Sequence, residues 1–60
     1  MSHTQWNYLL SEIGLQLFGP SAADRIREEL GKRGAQGWEL VTVAYDSNSS
    51  THRLYFKKPA

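Results

Sequence analysis

Glu39 is the carboxylate in this chain with the strongest claim to chemistry, because it directly follows a tryptophan in Gly34-Ala35-Gln36-Gly37-Trp38-Glu39-Leu40-Val41. A carboxylate buried beside an indole is raised in pKa and can act as a general base. The competing reading, an exposed cross-strand partner for Arg53 or Lys57, is the favoured one. Acid–base catalysis needs convergent titratable groups. The remaining acids are Glu12, Asp24, Glu28, Glu29 and Asp46, and three of these belong to the solvated face of one helix. Ser47, Ser49 and Ser50 with His52 beside them have the composition of a loop, not the spacing of a Ser–His–Asp triad. There is no cysteine, which excludes disulfides and thiolate metal sites, and His3 and His52 lie too far apart to suggest a metal. No catalytic residue, metal ligand or cofactor is expected.

The two glycines of the same stretch invite a second reading, a loop whose backbone N–H groups cradle a phosphate. Such loops lead into a helix N-terminus, where the dipole favours an anion. This one leaves a helix C-terminus, so the electrostatics have the wrong sign. Gly34 is therefore expected to end the helix as its C′ residue, Gly37 to turn the backbone, and Trp38 to anchor the turn.

A third chemistry, nucleic-acid binding, rests on His52-Arg53-Leu54-Tyr55-Phe56-Lys57-Lys58, where cations interleave with aromatics. Alternation puts Tyr55 with Arg53 and Lys57 but sends Phe56 to the other side with Leu54. The net charge of +1 supplies no attracting field. Nucleic acid is not the expected partner. More weight falls on the large aromatics: Trp6, Tyr8, Tyr45 and Tyr55, with Arg53 and Lys57, are the candidate interface. Aromatic residues and arginine dominate interface energetics. The same aromatics could equally complete the core, and the two readings merge if one sheet face pairs with another copy.

These residues need elements to hold them. Ser21 is a good N-cap, with Asp24 three residues on and Gly19-Pro20 before it. Ala23, Ile26 and Leu30 recur at helical spacing through Arg33, with opposite charges four apart at Arg25–Glu29, Glu28–Lys32 and Glu29–Arg33. Trp38 to Tyr45 reads as a strand with sides Trp38, Leu40, Thr42, Ala44 and Glu39, Val41, Val43, Tyr45. A turn over Asp46–Ser50 joins it to a second strand, whose end at Lys57-Lys58-Pro59 resembles a protected edge. The first eighteen residues fit two templates. Trp6, Leu9, Leu10, Ile13 and Leu17 have helical spacing, whereas a strand would put Trp6, Tyr8 and Leu10 on one side.

On the joint Gly34–Val43, the ending Tyr55–Pro59 and the opening aromatics Trp6 and Tyr8, the chain resembles a small bacterial and phage family catalogued as domain of unknown function 4177. The resemblance implies an α+β fold of order β-α-β-β, with one helix on a three-stranded antiparallel or mixed sheet. It implies a first strand over residues 4–13, bent at Gly14, and a last strand lying between the other two. It implies no activity.

Sixty residues make a single domain that buries only about 60% of its unfolded surface. Without disulfides or metal, self-association is the natural remedy, and a homo-oligomer of two or more copies is the expected assembly. The expected role is a non-enzymatic binding domain. The alternative is a small phage-type inhibitor that occludes a host defence complex, of CRISPR type for example, or a regulatory complex. No apolar run approaches the ~20 residues of a membrane span, and the opening residues lack a signal-peptide pattern. A cytoplasmic setting without a membrane partner is expected.

Overall fold

A computed structural model of the chain describes residues 5–60. Its elements are β1 (Trp6–Ile13), α1 (Ala22–Ala35), β2 (Glu39–Asp46) and β3 (Thr51–Pro59). The strands form one three-stranded sheet in the order β1-β3-β2, antiparallel at both pairings. This is the α+β, β-α-β-β architecture implied by the resemblance, with the last strand in the middle. The expected start of β1 at Thr4 lies outside the described residues, as does His3.

The opening segment is a strand because strand geometry satisfies its apolar residues better than a helix would. Leu9, Ser11 and Ile13 stand opposite Phe56, Leu54 and His52 on β3. That register puts Leu9 and Ile13 into the same cluster as Leu54 and Phe56. Leu17, which completed the helical pattern, falls beyond the strand and stays exposed.

The central position of β3 corrects the reading of Lys57-Lys58-Pro59 as an edge-strand ending. Pro59 is tolerated in a central strand for a specific reason. The Ala60 N–H donates to the Gln5 carbonyl at 3.0 Å, and the pairing runs without a break from Trp6–Pro59 to Ile13–His52. Hydrogen-bonded and non-hydrogen-bonded pairs alternate in an antiparallel ladder, so Trp6–Pro59 is a non-hydrogen-bonded pair. β1 thus asks for no N–H at Pro59, and β2 pairing begins only at Glu39–Lys57.

Helix α1 begins as its residues dictate. Ser21 is the N-cap and its hydroxyl accepts the Asp24 N–H at 3.2 Å. Of the expected ion pairs, Glu29–Arg33 forms at 2.8 Å. Arg25 instead donates to the Gly14 carbonyl at 2.7 Å, tying the helix start to the end of β1. The helix runs past Gly34, so Gly34 is not the C′ residue. Gly37 has that role, at φ 91°. The Gly37 N–H reaches the Gly34 carbonyl and the Trp38 N–H reaches the Arg33 carbonyl, both at 3.0 Å. Those two bonds make a Schellman motif closed by the second glycine. Gly34 can remain helical because nothing there demands a positive φ.

The core lies between α1 and the sheet and is small. Ile13, Leu54 and Phe56 are buried, and Leu9, Ile26, Leu30 and Trp38 pack against them. Ala23, expected on the inner helix face, is exposed. Beside the core, Ser11 donates to Glu29 at 2.6 Å, and Arg33 holds the same carboxylate.

Candidate interaction surface

Strand register decides which of the candidate residues meet. Residues opposite one another in an antiparallel pair share a face. Tyr8 lies opposite Lys57, Leu10 opposite Tyr55, and Glu12 opposite Arg53. On the other flank, Glu39 is opposite Lys57, Thr42 opposite Tyr55, and Ala44 opposite Arg53. Trp6 completes this side, opposite Pro59. Five of the six candidate interface residues, Trp6, Tyr8, Arg53, Tyr55 and Lys57, therefore occupy the sheet face turned away from α1. No described element covers it.

Tyr45 is the exception, and the cause is a β-bulge. Leu40 pairs with Phe56 and Thr42 with the adjacent Tyr55, which leaves Val41 without an opposite number. One extra residue reverses the alternation beyond it. The two sides read from the sequence are thereby broken at Val41: Leu40, Val43 and Tyr45 share the helix side, and Glu39, Thr42 and Ala44 share the outer one. Tyr45 lies against His52, its ring centroid 4.6 Å away. It belongs to the opposite side of the sheet from Tyr55.

The outer face has an apolar centre and a charged periphery. Tyr8, Leu10 and Tyr55 adjoin one another, with Tyr8 73% exposed and Leu10 48%. The Lys57 ammonium lies 4.3 Å from the Trp6 ring centroid, a cation–π contact that fixes both side chains. Arg53 is engaged with Asp46 at 3.3 Å. The Asp46 carboxyl is held below the usual carboxylate range, first by the Asn48 N–H and the Ser49 hydroxyl and then by Arg53. Glu39 stands exposed across from Lys57, as the cross-strand reading had it, and not in a buried pocket.

Sequence reasoning missed two parts of the surface. Leu10 was one of the residues claimed by both templates, so its place beside Tyr55 became legible only with the register. Leu15, Leu17 and Phe18 form an apolar stretch between β1 and α1, Phe18 being 85% exposed. Loop segments carry no periodicity from which exposure can be read. Near that loop a cleft of about 290 Å³ is lined by residues including Gly14, Ala22, Arg25, Tyr45 and His52. Among the described residues no three His, Cys, Asp or Glu side chains group as metal ligands do.

No family model, no curated protein and no solved structure matches the chain.

Proposed function

We propose that this chain is a non-enzymatic interaction domain that assembles with copies of itself through its sheet. The observation that carries the proposal is the uncovered outer face, where Trp6, Tyr8, Leu10 and Tyr55 stand exposed, while among the described residues three apolar side chains are buried. A monomer this thin has too little interior to offset its conformational entropy, and assembly supplies the missing burial. Membership of the family with the Gly34–Val43 joint, and a cytoplasmic setting, belong to the same proposal and rest on the sequence. Among the described residues, no helix is long and apolar enough to cross a membrane.

Sedimentation equilibrium and light scattering test the assembly. The expected mass at micromolar concentration is at least twice that of the chain, and a stable monomer would overturn the reading. Tyr8→Ser with Tyr55→Ser should weaken association without loss of far-UV dichroism.

A second reading, a small inhibitor that occludes a host defence or regulatory complex, is favoured by one observation. Leu15, Leu17 and Phe18 stand 70–85% exposed in a single connection, away from the sheet face. Such a tip suits insertion into a pocket on a different protein. Leu17→Asp with Phe18→Asp should abolish that binding while leaving self-association intact. We rank nucleic-acid binding below both, because Arg53 is paired with Asp46 and Lys57 lies over Trp6. Short single-stranded oligonucleotides at low salt should produce no change in tryptophan fluorescence.

A further inference from the structure

β1 is an edge strand, and among the described residues nothing pairs with its outer side. The Ala60–Gln5 bond and the unbroken register determine which backbone groups point where. Asn7, Leu9, Ser11 and Ile13 direct their N–H and C=O groups to β3. Trp6, Tyr8, Leu10 and Glu12 direct theirs outward, away from the sheet. Natural edges are blunted by bulges, proline, lysine or short length. β2, the other edge, carries the bulge at Val41. β1 has only one charged residue, Glu12, and otherwise lacks these devices: its eight residues, Trp-Asn-Tyr-Leu-Leu-Ser-Glu-Ile, include no proline or lysine and pair without irregularity.

We propose that two copies of this chain join edge to edge along β1, antiparallel, with Leu9 facing Leu9 of the second copy on the two-fold axis. The result is one continuous six-stranded sheet. This inference rests on the self-association reading above and moves the contact from the outer face to the β1 edge, so that Tyr8 lies in the contact while Tyr55, on the central strand, does not. The register follows from pattern matching. A two-fold dimer must set each residue opposite one on the same face, so a residue and not a peptide bond lies on the axis. With Leu9 there, Trp6 pairs with Glu12 and Tyr8 with Leu10, so every outward-facing residue of the strand finds a partner. At two hydrogen bonds per pair, four pairs give about eight bonds. Centring on Tyr8 would leave Glu12 unmatched within the strand, and centring on Leu10 would leave Trp6 unmatched.

The side chains agree with that register. Leu9 touches the core and is only half-buried, so a Leu9–Leu9 contact runs the two cores together beneath the sheet. On the outer face Tyr8 meets Leu10, and no like charges stand opposite each other. The exposed aromatics of both copies then form one surface, broader than either copy offers alone.

Single cysteines placed in this cysteine-free chain test the proposal. Residues on the axis at a non-hydrogen-bonded pair have Cα atoms about 4.5 Å apart, inside the disulfide range of about 4.4–6.8 Å. Leu9→Cys should form a covalent dimer under mild oxidation, whereas Tyr8→Cys and Leu10→Cys should not. Efficient cross-linking at Tyr8 or Leu10 instead would overturn the register. Leu10→Pro removes an N–H that the β1–β3 ladder does not use. It should give a monomer with unchanged far-UV dichroism, while Leu10→Thr stays dimeric. A wild-type dimer whose Leu10→Pro variant is folded and still dimeric, with Leu9→Cys uncrosslinked, would overturn edge pairing and leave self-association standing. A monomeric wild type would overturn both.

Discussion

At the scale of single residues, the two glycines of the helix-to-strand joint should respond to substitution in opposite directions. Gly37 holds φ 91°, a conformation that costs an L-residue about 1–2 kcal/mol. Gly34 lies within α1, and a Cβ added there meets nothing within 4 Å. Gly37→Ala should therefore lower the melting temperature by roughly 4–8 °C per kcal/mol lost. Gly34→Ala should raise it, with a gain of about 0.5–1 kcal/mol from helix propensity. Differential scanning fluorimetry on the two variants checks the sign of each. Glu29 offers a pH test. Its carboxyl is held below its ordinary value of 4.5, first by the Ser11 hydroxyl and then by Arg33. A lowered pKa means that the folded state favours the anion. That stabilisation is complete above the unfolded value and disappears as pH falls through the lower folded one. Glu29→Gln should therefore be less stable than the parent at pH near 7, with the gap closing in strong acid. A gap that persists unchanged in acid would show that Glu29 contributes through packing alone.

At the scale of elements, the bulge in β2 is the feature that most alters the sheet. Val41 is an insertion between two regular stretches, since Leu40 and Thr42 already pair with the adjacent Phe56 and Tyr55. Its deletion should leave the fold intact and turn β2 into a regular edge. Circular dichroism should stay the same, while light scattering should report larger assemblies, because a protected edge has been unblocked. The bulge also shows where legibility in the sequence ended. The α1 start was readable because Ser21 caps through its own side chain, and β3 was readable because Leu54 and Phe56 alternate without interruption against Arg53, Tyr55 and Lys57. Arg53, Tyr55 and Lys57 share one face for that reason, and Trp6 and Tyr8 join them through the β1–β3 register. Tyr45 does not, because a period-2 pattern cannot reveal an inserted residue when both sides of the strand mix apolar and polar residues. The helix end shifted by three residues because either glycine could accept a C′ conformation. Gly37 adopts it, directly before Trp38, which packs against the core.

At the scale of the whole molecule, the proposed self-association makes a prediction about how stability depends on concentration. A chain of sixty residues has a total stability of about 3–9 kcal/mol, and Leu54→Ala alone removes about 2–5 kcal/mol from a fully buried position. A domain stabilised by association melts at a temperature that rises with its concentration. Melting the wild-type chain over a hundredfold range of concentration should show that rise, and a constant midpoint would count against assembly.

The order of the strands has a consequence for how the chain is made. β1 and β2 do not touch through hydrogen bonds; each is joined to the sheet only by β3, the last element in sequence. From the end of β1 at Ile13 to the start of β3 at Thr51, synthesis at about 5–20 residues per second takes roughly 2–8 s. Throughout that interval β1 lacks β3, the only strand it pairs with in the folded chain. Until Thr51 and the residues after it are made, the sheet has two outer strands and no centre, so its hydrogen bonds can form only when the chain is nearly complete.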